Sequence, residues 1–280
     1  MAVADRVVIS IDDHVAHVRL NRADKRNGLD LPQIDAIIAA GVQLASDSSV
    51  RAVVLSGEGP SFCAGLDWAA FMSAGMQTAS RLLERDASSP ANLAQRVAWI
   101  WSELPVPVIA AIRGAAYGGG LQLALACDLR LVAPDARLSV MEIRYGLIPD
   151  MTASRTLLRL VRDDLARELI YTGRIVDAHE AVQLGLATRV CDDPVAAALA
   201  TAKQIAAASP SAIRAGKQLC LEVADLELAA ALARETELQL PLLGSPEQLE
   251  AVQATMLRRE PVFADPPIQK RPRMPSDGTT

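Results

Sequence analysis

Residues 107–128 read PVIAAIRGAAYGGGLQLALACD, and the reading of this stretch decides the fold. Val108–Ile112 is a near-continuous apolar run, the pattern of a strand buried on both faces. A turn at Arg113–Gly114 follows, then Gly118, Gly119 and Gly120, then a helix-like run from Leu121 to Cys127. Three consecutive glycines cost backbone entropy and add no packing. They belong where a backbone N–H must approach a ligand with no side chain in the way. At the mouth of a helix such N–H groups lack intrahelical acceptors and lie at the positive end of the dipole. The stretch predicts strand, glycine turn and helix, with a seat for an anionic oxygen at the turn.

Upstream, Arg6–Ile11 and Val15–Leu20 are β-rich and flank Asp12-Asp13-His14, which predicts a hairpin. His14 and His17 lie near it without acidic or cysteine partners and read as ordinary surface residues. The polar, basic segment Asn21–Leu29 reads as a loop. Asp30 is placed to cap a helix with Pro32 in its first turn and one buried face through Ile34, Ile37, Ile38 and Leu44. Val50–Ser56 is a short apolar strand. A second glycine-rich loop, Gly57–Leu66, runs to Asp67, another candidate cap, and a helix over about 91–104 leads into the strand at Val108. Both glycine loops thus follow strands and precede helices, the end of an α/β sheet where ligands bind.

Downstream, Leu129–Ala133 reads as a further strand, and the chain is almost entirely helical from Thr152. Asp177 with Glu180, Ser209-Pro210 and Ser245-Pro246 mark helix starts, and Gly185 a stop. The residues divide into an α/β core over 1–200, a helical region over 201–262 and a proline-rich flexible tail over 263–280. No internal repeat is evident.

Composition excludes several functions. Aromatic residues make up 3% of the 280 and the net charge is −5, against a nucleic-acid platform or basic stripe. No apolar run approaches a membrane span and no signal pattern opens the chain, so no membrane partner and a cytoplasmic location are expected. Cys63, Cys127, Cys191 and Cys220 are scattered, which argues against zinc or a disulfide framework. No P-loop, G-x-G-x-x-G fingerprint, G-x-S-x-G elbow or H-E-x-x-H is present. Two loops offering backbone N–H groups remain, with Glu142 and Asp150 as acids. That arrangement suits an oxyanion on a carbonyl and proton transfer at conjugated carbons. From the residues alone, glycines that only permit tight packing explain the pattern equally well.

The ordered segments NRADKRNGLD, SFCAGLD, AAIRGAAYGGGLQLALACDLRLVA, MEIRYGLIPD and YTGRIVDAHEAVQLGLATRV resemble the enoyl-CoA hydratase/isomerase, or crotonase, superfamily over almost the whole chain. The resemblance implies a spiral of ββα turns with a helical trimerisation region, assembled as trimers or hexamers. It implies an acyl-CoA thioester substrate, with coenzyme A part of the substrate and no separate cofactor. Carried over by motif, the Leu66 and Gly119 N–H groups form the oxyanion hole. Lys25, Arg26, Ala64 and Asp67 fall on the coenzyme A side, Trp68 and Met72 on the acyl pocket, and Phe263 and Lys270 on an adenine pocket across a subunit boundary.

The departures bear on the chemistry. Family hydratases use two glutamates; here Glu142 is present and the other position is Gln122, which can hold a water but not exchange its proton as a carboxylate does. Asp150 follows Glu142 by eight residues, as in the dienoyl-CoA isomerases, but the resemblance to that branch is partial: the third acid of those enzymes falls at Gln122 and is missing here. Asp150 also suits a turn residue capping the next helix. The combination points to isomerisation of an enoyl- or dienoyl-CoA. Hydration and non-catalytic acyl-CoA binding are the alternatives, and hydrolysis or decarboxylation of the thioester a third.

Overall fold

A computed structural model of the chain describes residues 6–85 and 89–266. β1 (Val7–Asp12) and β2 (Val15–Leu20) form the expected antiparallel hairpin. Asp13 and His14 both take positive φ, the two-residue turn whose twist matches its strands. α1 (Leu31–Ala45) starts at Asp30, whose carboxylate accepts from the Gln33 N–H. β3 (Ala52–Gly57), α2 (Trp68–Ala74), α3 (Met76–Leu83) and α4 (Leu93–Glu103) lead to β4 (Val108–Ile112), β5 (Ala115–Tyr117) and α5 (Gly119–Leu125). Next come β6 (Leu129–Val132), β7 (Arg137–Ser139), a 3-10 turn at Glu142–Tyr145, α6 (Ala153–Leu160) and α7 (Asp163–Thr172). β8 (Val176–Asp177), α8 (Ala178–Leu184) and β9 (Arg189–Val190) close the core. α9 (Pro194–Ala206), α10 (Pro210–Glu222), α11 (Leu228–Gln239) and α12 (Pro246–Leu257) follow.

The larger sheet has the order β1-β2-β3-β4-β6-β9, parallel beyond the hairpin. β3 and β4 are buried on both faces, as a continuous apolar run requires. Val53, Leu55, Val108, Ala110 and Ile112 join the main core with α1, α4 and α5. Ala52, Val54, Ile109 and Ala111 face the small-residue side of α9, Ala198, Ala202 and Ala206.

β5, β7 and β8 form a second, smaller sheet. Each ββα turn sends its first strand to the large sheet and its second to the small one: β4-β5-α5, then β6-β7-α6. Cys63 joins the same row as a single residue after β3, pairing with Ala116, which pairs with Leu138. This repeat is structural and leaves no periodic sequence trace, because each turn carries different loops.

Among the described residues no helix is long and apolar enough to cross a membrane. Most of the expected flexible tail, with Lys270, lies outside the described residues. The part inside is held in place: Arg51 donates to the Phe263 carbonyl at 2.8 Å and pairs with Asp265 at 3.0 Å. His17 is half-buried against the Ser56 hydroxyl at 2.8 Å, so it too departs from a plain surface residue.

Candidate active site

The two glycine loops are joined by backbone bonds. Cys63 donates to Ala115 O at 3.0 Å and accepts from Tyr117 at 3.1 Å; on the other side Ala64 donates to Arg26 O at 3.0 Å. Gly65 has φ +85°, and a Cβ there would lie 2.5 Å from Tyr117 O and 3.5 Å from the Gly119 nitrogen. Only glycine lets the two strands of the site approach this closely. Neither the Leu66 nor the Gly119 N–H has an acceptor among the described residues. Gly120 is glycine for packing: a Cβ would meet Cys63 O at 2.2 Å.

Glu142 opens the 3-10 turn after β7, and its Oε1 lies 3.4 Å from where a Gly118 Cβ would be. Gln122, on α5 and 2% exposed, donates from Nε2 to Glu142 Oε1 at 2.5 Å and accepts from the Met151 N–H at 2.8 Å. Glu142 Oε2 is buried and has no partner. Burial raises the Glu142 pKa, hydrogen bonds from its own backbone, Gln122 and Met141 oppose this, and the charge of Asp150 adds to it. Asp150 keeps an exposed edge, yet desolvation raises its pKa too. It does not cap the following helix: the residue before α6 is Thr152, which makes no side-chain cap bond. The Asp150 backbone N–H donates to its own carboxylate and works against that rise in pKa.

The other expected residues divide. Trp68 stacks on Tyr145 with ring centroids 4.4 Å apart, joining the helix after one loop to the turn that carries Glu142. Met72 is 74% exposed and does not line the apolar cavity beside Leu66. On the same short helix Phe71 lines that cavity, of about 190 Å³, with Leu29, Leu31, Ile34 and Leu66. Leu29 also packs against Gly119, so the cavity adjoins the open N–H pair. The Asp67 carboxylate accepts from the Ala70 N–H and pairs with Arg22 at 2.8 Å. Lys25 and Arg26 are exposed and make no ion pair among the described residues.

Arg22 and Asn27 lie in the segment that the sequence predicts as a polar, basic loop, and nothing in its own pattern marks them as buried. Arg22 is buried and reaches Gly28 O, Asp30 and Asp67. Asn27, buried at positive φ, accepts from the Arg22 N–H and donates to Glu58 O and Ser61 O. The available signal was two capping aspartates, Asp30 and Asp67, flanking a basic loop. Cys63 is no nucleophile, since burial pushes its thiol up to about 12.

The enoyl-CoA hydratase/isomerase family profile matches residues 10–266. A mitochondrial Delta(3,5)-Delta(2,4)-dienoyl-CoA isomerase of Mus musculus is 32% identical over 90% of this chain and 80% of its own length. Among solved structures, an enoyl-CoA hydratase from Bacillus anthracis superposes with TM-score 0.83 at 30% identity, covering 92% of this chain and 98% of that one. An enoyl-CoA hydratase from Mycobacterium smegmatis does so with TM-score 0.80, again at 30% identity, 92% and 98%.

Proposed function

Because the chain belongs to the enoyl-CoA hydratase/isomerase family, we propose that it moves a C=C bond of an enoyl- or dienoyl-CoA by way of an enolate. The observation that carries this reading is the buried, unpartnered Glu142 Oε2 beside two open backbone N–H groups. A thioester oxygen seated between the Leu66 and Gly119 N–H groups would be stabilised as its negative charge grows, a contribution of about 3 kcal/mol per donor. Glu142 is the main acid/base and Asp150 its partner: one accepts the proton from C2, and a proton is returned farther along the conjugated chain. The base ends protonated and the acid deprotonated, or one carboxyl makes both transfers, so no oxidant or water is consumed.

Gln122 favours isomerisation over hydration. It has no proton to exchange, and its amide is bonded at both ends. Hydration by Glu142 alone is the second reading, supported by the hydratase names of the two solved relatives. The apolar cavity beside Leu66 suits the acyl chain, and the unpaired Lys25 and Arg26 suit coenzyme A phosphates.

We also assign association between copies to the C-terminal helices. α11 buries none of its residues, and Leu228 and Met256 are 73% and 78% exposed. Apolar patches of this kind mark contact surfaces.

The deciding experiment is an ultraviolet and mass-spectrometric time course with 2-enoyl-, 3-enoyl- and 3,5-dienoyl-CoA, beside Glu142→Gln. Bond migration without mass gain, lost in the variant, is the expected result. Gain of one water would replace it with hydration. Saturable binding without turnover on any substrate would leave an acyl-CoA binder.

A further inference from the structure

We propose that Gln122 is a positioning residue that dictates which oxygen of Glu142 exchanges a proton with the substrate, and that through Met151 it ties that oxygen to the Asp150 turn. The proposal rests on the isomerase reading above and deepens it.

The orientation of the Gln122 amide follows from its partners. The Met151 N–H can only donate, so Gln122 Oε1 must face it, at 2.8 Å. Nε2 then points the other way, to Glu142 Oε1 at 2.5 Å. An oxygen receiving that N–H presents a lone pair, so when Glu142 is protonated its proton is on Oε2. That is the oxygen with no partner. Gln122 therefore leaves one oxygen of Glu142 open for proton transfer and occupies the other.

A glutamate could not take over this role unchanged. One of its oxygens would accept from Met151, and the other would meet Glu142 Oε1, which needs a shared proton and makes a coupled pair. Glutamine supplies the same geometry without a second titrating group. Each end of the amide makes one hydrogen bond at 2% exposure, and neither end carries an acid proton.

The Met151 end is built with strain. Thr152 has φ +75°, in the left-handed region that a β-branched residue rarely enters, and its buried hydroxyl has no partner. Such strain persists where the surroundings fix it, commonly at a working site. Here the reversed turn presents the Met151 N–H to Gln122 and brings Asp150 close enough for its charge to oppose ionisation of Glu142.

The groups facing Glu142 are few. α5 contributes Gln122 and glycine, and the following loop contributes Asp150. Tyr145, on its own turn, is stacked on Trp68. Arg144 packs at Gly173, just after α7, where Arg174 pairs with Glu168 and Glu180 and, on the helix, Arg167 pairs with Asp163.

The test is carbon-13 NMR titration of carboxyl-labelled glutamate in the full chain, with Glu142→Gln to assign the signal, comparing wild type, Gln122→Met and Gln122→Glu. In Gln122→Met the Glu142 midpoint should rise by about one pH unit, the size of a lost hydrogen bond to a charged group. The acid limb of kcat/KM should move with it. In Gln122→Glu two coupled steps should replace one. An unmoved midpoint in folded Gln122→Met overturns the proposal. If that variant does not fold, a single unshifted Glu142 step in Gln122→Glu overturns it. Full turnover by Glu142→Gln would instead sink the isomerase reading, while the NMR midpoints still judge the placement of Gln122.

Discussion

The backbone of Leu29 grips both neighbours of Leu66: its N–H donates to Gly65 O at 2.8 Å and its carbonyl accepts from Asp67 at 3.0 Å. In a parallel bridge of this kind the residue between the two bonds turns its own N–H to the opposite side. Leu66 therefore presents its N–H to the site because Leu29 has fixed the residues around it. The loop carrying Leu66 is set by this strand-like contact together with the glycine at 65.

Gly65→Ala tests this contact. At φ +85° a Cβ would lie 2.5 Å from the Tyr117 carbonyl, which is backbone and cannot swing aside. The loop must shift, and the Leu66 N–H with it. We expect kcat/KM to fall by about 10²–10³, the usual effect of losing one oxyanion donor, with the circular dichroism spectrum retained. Unchanged kcat would show that the Leu66 N–H takes no part.

Arg22 bridges two helix caps, reaching Asp30 at 3.1 Å and Asp67 at 2.8 Å. Burial works against the Asp67 charge, but the Ala70 N–H and Arg22 hold its pKa below the usual carboxylate value. Its contribution to stability is present above the unfolded pKa and lost as pH falls through the lower folded one. Arg22→Ala leaves two part-buried carboxylates short of a partner and should cost about 3 kcal/mol in denaturant unfolding. Arg22→Lys should recover little, since an ammonium cannot reach both caps and Gly28 O together. Recovery by lysine would mean that charge alone matters here.

Local features of the fold were legible. Asp30, Asp67, Asp177, Ser209 and Ser245 each cap the helix that their spacing predicts, because a cap depends on residues three apart. The strand at Val108–Ile112 was legible because a continuous apolar run is also a local pattern. β5 was not, since a three-residue strand is defined by its partners Cys63 and Leu138 rather than by its own pattern. α5 starts at Gly119 rather than Leu121, because the Gln122 N–H reaches back to Gly118 O and draws the glycines into the helix. At the site, Glu142 and Gln122 were found by motif, and Met151 was not: its part is played by a backbone N–H. Phe71, which lines the apolar cavity, was not legible either, because a helix of seven residues does not reveal which face turns inward.

The C-terminal helices supply a prediction about assembly. Leu228 and Leu232 lie four apart on α11, one face of the helix, and both are exposed in the single chain. Replacing both with glutamate places charge on a surface that association would bury. Light scattering should show a multimer for the wild type and a smaller species for the double variant. An unchanged mass would place the contact elsewhere.

Glu142→Gln should separate activity from stability. Burial raises the Glu142 pKa, so the neutral carboxyl is the form better suited to the folded chain. The stability it contributes is whole below the unfolded pKa of ~4.3 and is lost as pH rises through the higher folded value. Glutamine resembles the neutral form at every pH. At pH 7 the variant should melt above the wild type, with the gap closing as pH falls toward 4, while turnover drops by about two to four orders of magnitude. A variant that melts lower at pH 7 would mean that the Gln122 hydrogen bond to the carboxylate outweighs its burial. Glu142 would then be a stabilising charge rather than a carboxyl held ready for proton transfer.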